Sequence, residues 1–186
     1  MLNIIVAHCR NRGIGIKNSL PWKLKSDMKM FKKLTIGDGN NSVIMGRKTW
    51  ESLPNKYLPD RKNIVISNSI KYINDDIPVF NNIHAAYNYV VKNEFNTNWI
   101  IGGSEIYKDS LKNLDIDEIF VTNIDKEYEC DVFFPNVDDY NYFKIESSEE
   151  YIEDDIKFRN EIYVKNRAHA QEVSCLEETY MQAYMM

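Results

Sequence analysis

Cysteine and histidine are scarce in this chain of 186 residues, which contains three of each. Cys9, Cys130 and Cys175 lie far apart in the sequence and form no CxxC pair, so they predict neither a disulfide framework nor a zinc site. Reduced thiols in a cytosol are the simpler interpretation. The histidines are equally dispersed, and neither metal catalysis nor a Ser or Cys nucleophile finds a supporting constellation.

Long apolar runs and linker-like segments are also absent. No apolar stretch approaches membrane-spanning length, and Met1 leads straight into a strand pattern, so we expect neither a membrane segment nor a targeting signal. No segment rich in proline, glycine and serine divides the chain, which predicts one domain over 1–165. Residues 166–186 carry no strand pattern and are interpreted as a C-terminal tail or linker remnant. We expect a cytoplasmic protein and, without an argument from these residues, a monomer.

An excess of positive charge is missing as well. The chain has 23 Lys and Arg against 28 Asp and Glu, a net charge of -5, which argues against a general nucleic-acid binder. The basic residues nevertheless cluster at 23–33, 47–48 and 61–62. A local basic pocket for an anionic small molecule is therefore compatible with the acidic total.

An acidic residue lies on the apolar face of the first predicted helix. At about 100° per residue, Asp27 shares a face with Met28 and Phe31, while the helix's lysines share the opposite face. An ionised carboxylate is costly in apolar surroundings unless it has a partner, which suggests a functional group carried into a cleft. On this segment alone, the more economical interpretation is a first-turn acid that complements the helix dipole, with Ser26 or Asp27 near the cap.

The order of apolar and amphipathic segments predicts the fold class. Strands are predicted at 2–7, 42–45, 63–67, 79–80, 99–101, 118–124, 142–148 and 155–164, and helices at 25–35, 47–53, from 83 onward and at 104–111. Strands alternate with helices and are closed by antiparallel strands. This order indicates an α/β fold, a three-layer sandwich around a central mixed, mostly parallel sheet.

The last predicted strand alternates between an apolar and a charged row. Asn160 falls in the apolar row with Ile156 and Phe158, whereas Glu161 falls in the charged row. An unpaired buried amide costs about 1–3 kcal/mol, so we expect Asn160 to be buried and hydrogen-bonded.

Two strand-to-helix turns are candidate ligand sites. After the strand that ends at Gly46, residues 47–49 place two cations and a hydroxyl in the first turn of a helix, where backbone N–H groups and the dipole favour an anion. Gly102-Gly103 precedes another helix but falls short of the GxGxxG fingerprint. A tight turn explains that pair about as well.

Together, these residues resemble dihydrofolate reductase over about 1–165. The matching segments are Ile5-Val6-Ala7, Gly13-Ile14-Gly15, Leu20-Pro21-Trp22, Asp27 with Phe31, Met45-Gly46-Arg47-Lys48-Thr49-Trp50-Glu51-Ser52, Arg61-Lys62-Asn63-Ile64, Ile101-Gly102-Gly103-Ser104 with Ile106-Tyr107, Phe120-Val121-Thr122, and Asp131 with Phe133-Phe134-Pro135. Any one segment is common, but their order and spacing together are highly specific. With this resemblance, the functional interpretation of Asp27 replaces the economical one.

The resemblance implies an NADPH-dependent oxidoreductase that reduces 7,8-dihydrofolate to 5,6,7,8-tetrahydrofolate and supplies one-carbon carriers for thymidylate and purine synthesis. In the family reaction, hydride reaches C6 of the substrate while a proton reaches N5. By resemblance, Asp27 binds the pteridine, Thr122 orients Asp27 and Trp22 orders a nearby water, with Leu20 as a further catalytic position.

The resemblance also implies the remaining substrate contacts. Arg61 pairs with the α-carboxylate of the glutamate tail, and Lys32 adds a less directional charge nearby. The ring and benzoyl contacts are Ile5, Met28, Phe31, Leu53, Leu58 and Ile101.

By the same resemblance, NADPH lies across the carboxyl ends of the strands. The implied contacts are Ala7, Ile14, Gly15, Asn18, Ser19, Gly46, Arg47, Lys48, Thr49, Ser67, Asn68, Gly102, Gly103, Ser104, Glu105, Ile106 and Tyr107. The family joins its paired glycines by a cis peptide, which Gly102-Gly103 adopts more readily than bulkier residues.

Some residues depart from the family pattern. Asn68 stands where many members have a serine or arginine facing the 2′-phosphate, and Glu105 where bacterial members often have a basic residue. These two positions leave the preference for NADPH over NADH open. Residues 177–186 faintly resemble the start of a thymidylate synthase domain, to which some members are fused, so a former fusion is one interpretation of the tail.

Two other functions are weighed against this one. NADPH-dependent reductases of the riboflavin pathway share the architecture, but a sugar-phosphate substrate needs neither a pteridine-binding carboxylate nor the Arg61 clamp. The second is a non-catalytic, ligand-holding protein that stabilises a partner through its tail. The complete set of site residues disfavours it.

Overall fold

The computed structural model describes residues 1–166. Its strands are β1 (Leu2–Cys9), β2 (Gly13–Gly15), β3 (Ser42–Gly46), β4 (Lys62–Ile66), β5 (Val79–Phe80), β6 (Asn98–Ile100), β7 (Glu118–Ile124), β8 (Val132–Phe133), β9 (Tyr142–Ser147), β10 (Tyr151–Glu153) and β11 (Ile156–Lys165). Its helices are α1 (Lys25–Ile36), α2 (Arg47–Ser52), α3 (Ile83–Lys92) and α4 (Ser104–Asn113), with a 3₁₀ turn at Val137–Tyr140. Among these described helices, none is long and apolar enough to cross a bilayer. The tail predicted at 166–186 lies, from residue 167 onward, outside the described range.

Nine of the strands within residues 1–166 form one sheet, in the order β10-β11-β7-β1-β6-β3-β4-β5, with β9 also paired to β11. The ladders from β7 to β5 are parallel, whereas β11 runs antiparallel to β7, β9 and β10. The predicted mixed, mostly parallel sheet is therefore confirmed. It places the carboxyl ends of β1, β3, β4 and β6 along one edge.

Helices cover both faces of the sheet. Ile4 of β1 packs in one cluster with Ile83 of α3 and Leu111 of α4, while Ile5 belongs to a second cluster that includes Phe31 of α1. Successive residues of a strand point to opposite faces, so these two clusters lie on opposite sides of the sheet. The result is the expected three layers, with α1 on the face that carries the cleft described below.

The segment between β1 and α1 is more ordered than its loop-like sequence suggests. Its short strand β2 pairs with β8, more than a hundred residues further along the chain. Gly13 is required for this approach, because a Cβ added there would lie 2.4 Å from the Cys130 Sγ. The same contact brings Cys9 and Cys130 to 4.0 Å between their sulfur atoms. Local sequence patterns give no sign of this pairing.

The alternation predicted for the last strand fails in its second half. Asn160 is only half-buried, so its expected burial is wrong, whereas its expected hydrogen bonding is confirmed: its Oδ1 accepts from the Thr122 hydroxyl (3.4 Å) and its backbone N–H donates to the Ser148 Oγ (3.0 Å). Glu161, assigned to the charged row, is only 4 % exposed. It accepts hydrogen bonds from Lys144 (2.9 Å) and from the Tyr163 hydroxyl (2.8 Å). Burial of this carboxylate is tolerated because neighbouring side chains supply charge and donors.

Candidate active site

A cleft of about 1730 Å³ opens at the carboxyl ends of the parallel strands. Its lining includes Ile5 and Ala7 of β1, Gly46 at the end of β3, Ser67 after β4 and Ile101 after β6. Open α/β sheets bind their ligands at this edge because the loops that follow the strands converge there. The topology alone therefore makes this cleft the candidate site.

Asp27 lies in the first turn of α1 and faces the cleft. It is only 9 % exposed, and its Oδ1 accepts a hydrogen bond from the Thr122 hydroxyl at 2.6 Å. Burial raises the pKa of the Asp27 carboxyl above its usual value. The hydrogen bond from Thr122 lowers this pKa in part, and the nearby charge of Glu153 raises it.

Asp27 does not cap its own helix. The residue at the cap position, Leu24, offers no side-chain acceptor, and the helix is instead capped by Glu153 of β10. The Glu153 carboxylate accepts from the backbone N–H groups of Lys25 (2.6 Å) and Ser26 (2.9 Å), and also from the Ser26 hydroxyl. The economical interpretation places Asp27 correctly in the first turn, where a carboxylate complements the helix dipole, but the cap acceptor comes from another strand and not from Ser26 or Asp27.

An apolar wall continues from Asp27 along the cleft. It is built from the substrate-side residues named above, namely Ile5, Met28, Phe31, Leu53, Leu58 and Ile101. The Ile5 carbonyl oxygen already accepts a hydrogen bond from the buried Tyr107 hydroxyl at 2.8 Å. Burial raises the pKa of Tyr107, so this hydroxyl stays a donor. Any ligand donor at Ile5 must therefore use the second lone pair of that carbonyl.

Arg61 and Lys32 lie outside the cleft lining. The Arg61 guanidinium is oriented by its neighbours, since Nη1 donates to the Thr35 Oγ1 (2.7 Å) and Nε to the Pro59 carbonyl (2.9 Å). Lys32 is exposed on α1. The structure thus places both cations outside the cleft that holds Asp27, with Arg61 bound to Thr35, about two turns along α1 from Asp27.

Trp22 also lies outside the cleft lining and is only 7 % exposed. Its ring packs on Tyr128 with 5.5 Å between ring centroids. Within the described residues, the Trp22 Nε1 has no hydrogen-bond partner. A buried N–H group of this kind is usually satisfied by an ordered water.

The cofactor-side residues gather around two close backbone segments. The Gly46 N–H donates to the Gly102 carbonyl at 2.7 Å, and the Gly102-Gly103 peptide is cis. Gly102 has a φ of +109°, and a Cβ there would lie 3.0 Å from the Tyr107 ring. Gly102 itself is outside the cleft lining. The other cofactor-side residues line the cleft, namely Ala7, Ile14, Gly15, Asn18, Ser19, Gly46, Arg47, Lys48, Thr49, Ser67, Asn68, Gly103, Ser104, Glu105, Ile106 and Tyr107.

Some cleft residues had no role assigned from the sequence. They include Lys17, Glu51, Ser52, Pro54, Ser69, Asp131, Val132 and Phe133. Glu51 forms an ion pair with Arg47 at 2.7 Å, and the Asp131 carboxylate accepts from the Lys17 backbone N–H at 2.9 Å. The four-residue spacing of Arg47 and Glu51 on α2 could have revealed the first contact. The contact between Lys17 and Asp131 depends on the pairing of β2 with β8, which are far apart in the sequence.

Comparison with known families agrees with this geometry. A family model described as "Dihydrofolate reductase" matches residues 1–167. The chain belongs to the dihydrofolate reductase family. The chain is therefore an oxidoreductase of a family that uses a nicotinamide cofactor.

Individual relatives extend the same finding. A dihydrofolate reductase of Heliothis virescens is 35% identical over 179 residues, covering 88% of this chain and 97% of the relative. One of Schistosoma mansoni is 40% identical over 147 residues, covering 74% of this chain and 79% of the relative. A bifunctional dihydrofolate reductase-thymidylate synthase of Daucus carota is 33% identical over 187 residues, covering 92% of this chain but 35% of the relative.

The close backbone approach at Gly102 generates a test. We expect Gly102→Ala to weaken binding of the nicotinamide dinucleotide at least about 10-fold, because the added Cβ meets the Tyr107 ring and the positive φ disfavours a side chain. Gly39→Ala is the matched control, since Gly39 also has a positive φ (+95°) but nothing within 4 Å of an added Cβ. Fluorescence titration of both variants measures the affinity. Equal cofactor affinities of Gly102→Ala and Gly39→Ala would show that cofactor binding does not depend on the close backbone approach at Gly102.

Proposed function

We propose that this protein reduces 7,8-dihydrofolate to 5,6,7,8-tetrahydrofolate with NADPH. The observation that carries the proposal is the buried Asp27 carboxylate, held by Thr122 at 2.6 Å beside an apolar wall, in a chain of the dihydrofolate reductase family. The proposed roles for thymidylate and purine synthesis follow from the same product, a carrier of one-carbon units.

The proposed role of Asp27 follows from its hydrogen-bonding capacity. A carboxylate has about four lone-pair directions, and Thr122 uses one of them on Oδ1. The others can accept charge-assisted hydrogen bonds from the amino and ring N–H groups of a pteridine. The raised pKa of Asp27 brings the carboxyl closer to neutral pH, where a group that assists proton transfer is most effective.

Trp22 and Leu20 complete the proposed catalytic group. The unpartnered Nε1 of Trp22 can hold a water by donating to its oxygen, which supports a proton path to N5 of the substrate. Leu20 lines the cleft and is 53 % exposed, so it can cover the reacting atoms and exclude bulk water.

The cations beyond the apolar wall suit the glutamate tail of the substrate. Thr35 and Pro59 use only part of the donor set of Arg61, which leaves guanidinium N–H groups for a bidentate pair with the α-carboxylate. Lys32 would add charge without fixing direction. The apolar wall between Asp27 and Arg61 therefore matches a molecule with a polar ring at one end and an acid at the other.

The cofactor side of the cleft fits a pyridine dinucleotide phosphate. The close backbone of Gly46 and Gly103 leaves room for phosphates, and Arg47 and Lys48 supply positive charge at the start of α2. When bound, NADPH supplies the hydride. Ala7 and Ile14 would hold the nicotinamide against the floor of the cleft, and the Ser67 hydroxyl, which accepts from the Ile70 N–H at 2.9 Å, is fixed at the adenosine end.

The remaining expectations stay predictions. They are a monomer in the cytoplasm, a domain boundary near 165 and a tail that is a remnant of a fusion. The bifunctional relatives are compatible with the last of these. Neither a riboflavin-pathway substrate nor a non-catalytic role needs the combination of a buried carboxylate and an arginine past an apolar wall.

Asp27→Asn tests the proposed role of the carboxylate. The change keeps the shape and one acceptor but removes the charge, so we expect turnover at neutral pH to fall about 100-fold or more. At acidic pH more dihydrofolate arrives already protonated at N5, so the variant should regain activity as pH falls. The measurement is the pH profile of the steady-state rate with NADPH saturating.

Asp38→Asn is the control for this experiment, because Asp38 is an exposed acid outside the cleft lining. Its profile should match that of the parent protein. Near-parental turnover of Asp27→Asn at neutral pH, or a loss by the same factor at every pH, would show that the assigned role is wrong.

Replacing Arg47 and Lys48 together with alanine tests the cofactor preference. We expect NADPH affinity to fall at least about 10-fold and NADH affinity by less than about 3-fold, because only NADPH carries the 2′-phosphate. The control, Lys108→Ala with Lys112→Ala, removes the same charge from exposed positions of α4. Equal weakening for both cofactors would place the 2′-phosphate elsewhere.

A further inference from the structure

Glu153 lies at the end of β10 and is not part of the cleft lining. It nevertheless makes the contacts that begin the helix carrying Asp27. Its two carboxylate oxygens accept from the first two backbone N–H groups of α1, at 2.6 and 2.9 Å, and Oε2 also accepts from the Ser26 hydroxyl. The first N–H groups of a helix have no intrahelical partner, so an external acceptor there stabilises the first turn.

The position of Glu153 is fixed by a tight hairpin. Asp154 and Asp155 form the two-residue connection from β10 to β11, and both have positive φ, 48° and 61°. A two-residue turn of this conformation is typical of hairpins and sets the register of the two strands. Glu153 is accordingly paired with Ile156. Little freedom is left for the backbone that presents its carboxylate.

The same hairpin also reaches the other partner of Asp27. Strand β11 continues to Asn160, which pairs with Thr122 of β7. The β10–β11 hairpin therefore holds α1 through Glu153 and borders β7, which supplies the hydroxyl donor. The separation between the Asp27 carboxylate and the Thr122 hydroxyl depends on both attachments.

The charges around this contact are few and identifiable. Hydrogen bonds from the Ser26 side chain and backbone and from the Lys25 backbone hold the pKa of Glu153 below its usual range, so it is ionised at neutral pH. Lys25 of α1 also faces Glu153 through its charge. Toward Asp27, the facing groups are the neutral Thr122 from β7 and the charged Glu153 from β10, and the Glu153 charge favours the protonated form of Asp27.

We propose that Glu153 is a positioning residue for Asp27, which holds the first turn of α1 on the β10–β11 hairpin and thereby sets the Asp27 carboxylate against the Thr122 hydroxyl. The kinetic consequence rests on the proposed function, whereas the effect on Asp27 itself does not. The group at this position accepts three hydrogen bonds from the first turn of α1, one at Oε1 and two at Oε2.

Glu153→Gln tests this positioning role, because the amide keeps one acceptor oxygen but loses the charge and the second acceptor. The full chain, labelled with ¹³C at aspartate carboxyls, is titrated by NMR, and Asp27→Asn identifies the Asp27 signal. We expect the Asp27 midpoint to move to higher pH in Glu153→Gln, because a carboxylate displaced from the Thr122 hydroxyl loses the hydrogen bond that favours its charged form. A midpoint moved to lower pH would reflect only removal of the Glu153 charge and would overturn the positioning role. The ratio kcat/KM for dihydrofolate should fall about 10-fold, since a displaced carboxylate binds the reacting ring poorly.

Glu150→Gln is the matched control. Glu150 lies just before β10 and pairs with Lys157 (3.0 Å) and Arg159 (3.3 Å) of β11 rather than with α1. Removing its charge should leave the Asp27 midpoint and kcat/KM unchanged. Ser26→Ala is a second variant, which removes one donor but keeps the Glu153 charge. We expect it to lower kcat/KM less than Glu153→Gln does and to leave the Asp27 midpoint near that of the parent.

Different results would overturn the positioning role of Glu153 and the proposed reduction of dihydrofolate. A parental Asp27 midpoint and a parental kcat/KM in Glu153→Gln would overturn the inference. So would equal shifts in Glu153→Gln and Glu150→Gln, since these would reflect general charge removal. If Glu153→Gln does not fold, an unchanged kcat/KM in Ser26→Ala overturns the inference. If the parent protein does not reduce dihydrofolate, the proposed function fails while the titration still tests the action of Glu153 on Asp27.

Discussion

The hydrogen bond from the Thr122 hydroxyl to the Asp27 carboxylate, 2.6 Å long and buried, is the interaction on which the site depends. A carboxylate that leaves water loses much of its solvation, and one neutral donor replaces only part of it. The raised pKa of Asp27 reflects this incomplete compensation. Under the proposed function, the N–H groups of the pteridine supply the donors that this carboxylate still lacks. A fold that needed only stability would have placed an apolar residue here.

The parallel sheet brings Asp27 and Thr122 together. Strand β1 lies near the middle of the sheet with β7 and β6 as parallel neighbours, so its carboxyl end is surrounded by other strand ends and their loops. Helix α1 enters from the segment after β1 and carries Asp27 over β7, where Thr122 lies. The antiparallel hairpin β10–β11 closes the sheet beside β7 and supplies Glu153 to α1. The sheet thus supplies the donor to Asp27 through Thr122 of β7 and the acceptor that caps α1 through Glu153 of β10.

Much of this arrangement could be predicted from the sequence, but only where the information is local. The apolar, β-branched segments give the strands of the parallel sheet, and helical periodicity identifies Asp27 as an acid on an apolar face. Contacts between distant residues carry no such signal. Glu153 capping α1, the pairing of β2 with β8, and the 4.0 Å approach of Cys9 to Cys130 each join segments more than a hundred residues apart. The assignment of Glu161 to the charged row was wrong for a related reason. Its burial depends on the contact with Lys144 and not on the alternation of its own strand.

Loss of NADPH absorbance by the unmodified protein, followed with dihydrofolate present, reports the proposed reaction directly. We predict that NADPH oxidation depends on dihydrofolate and that one tetrahydrofolate forms for each NADPH consumed. An aminopyrimidine ribosyl phosphate, a substrate of the riboflavin-pathway class, should give no oxidation above the rate without substrate. No dihydrofolate-dependent oxidation, or oxidation supported by the sugar phosphate instead, would contradict the assignment of the cleft.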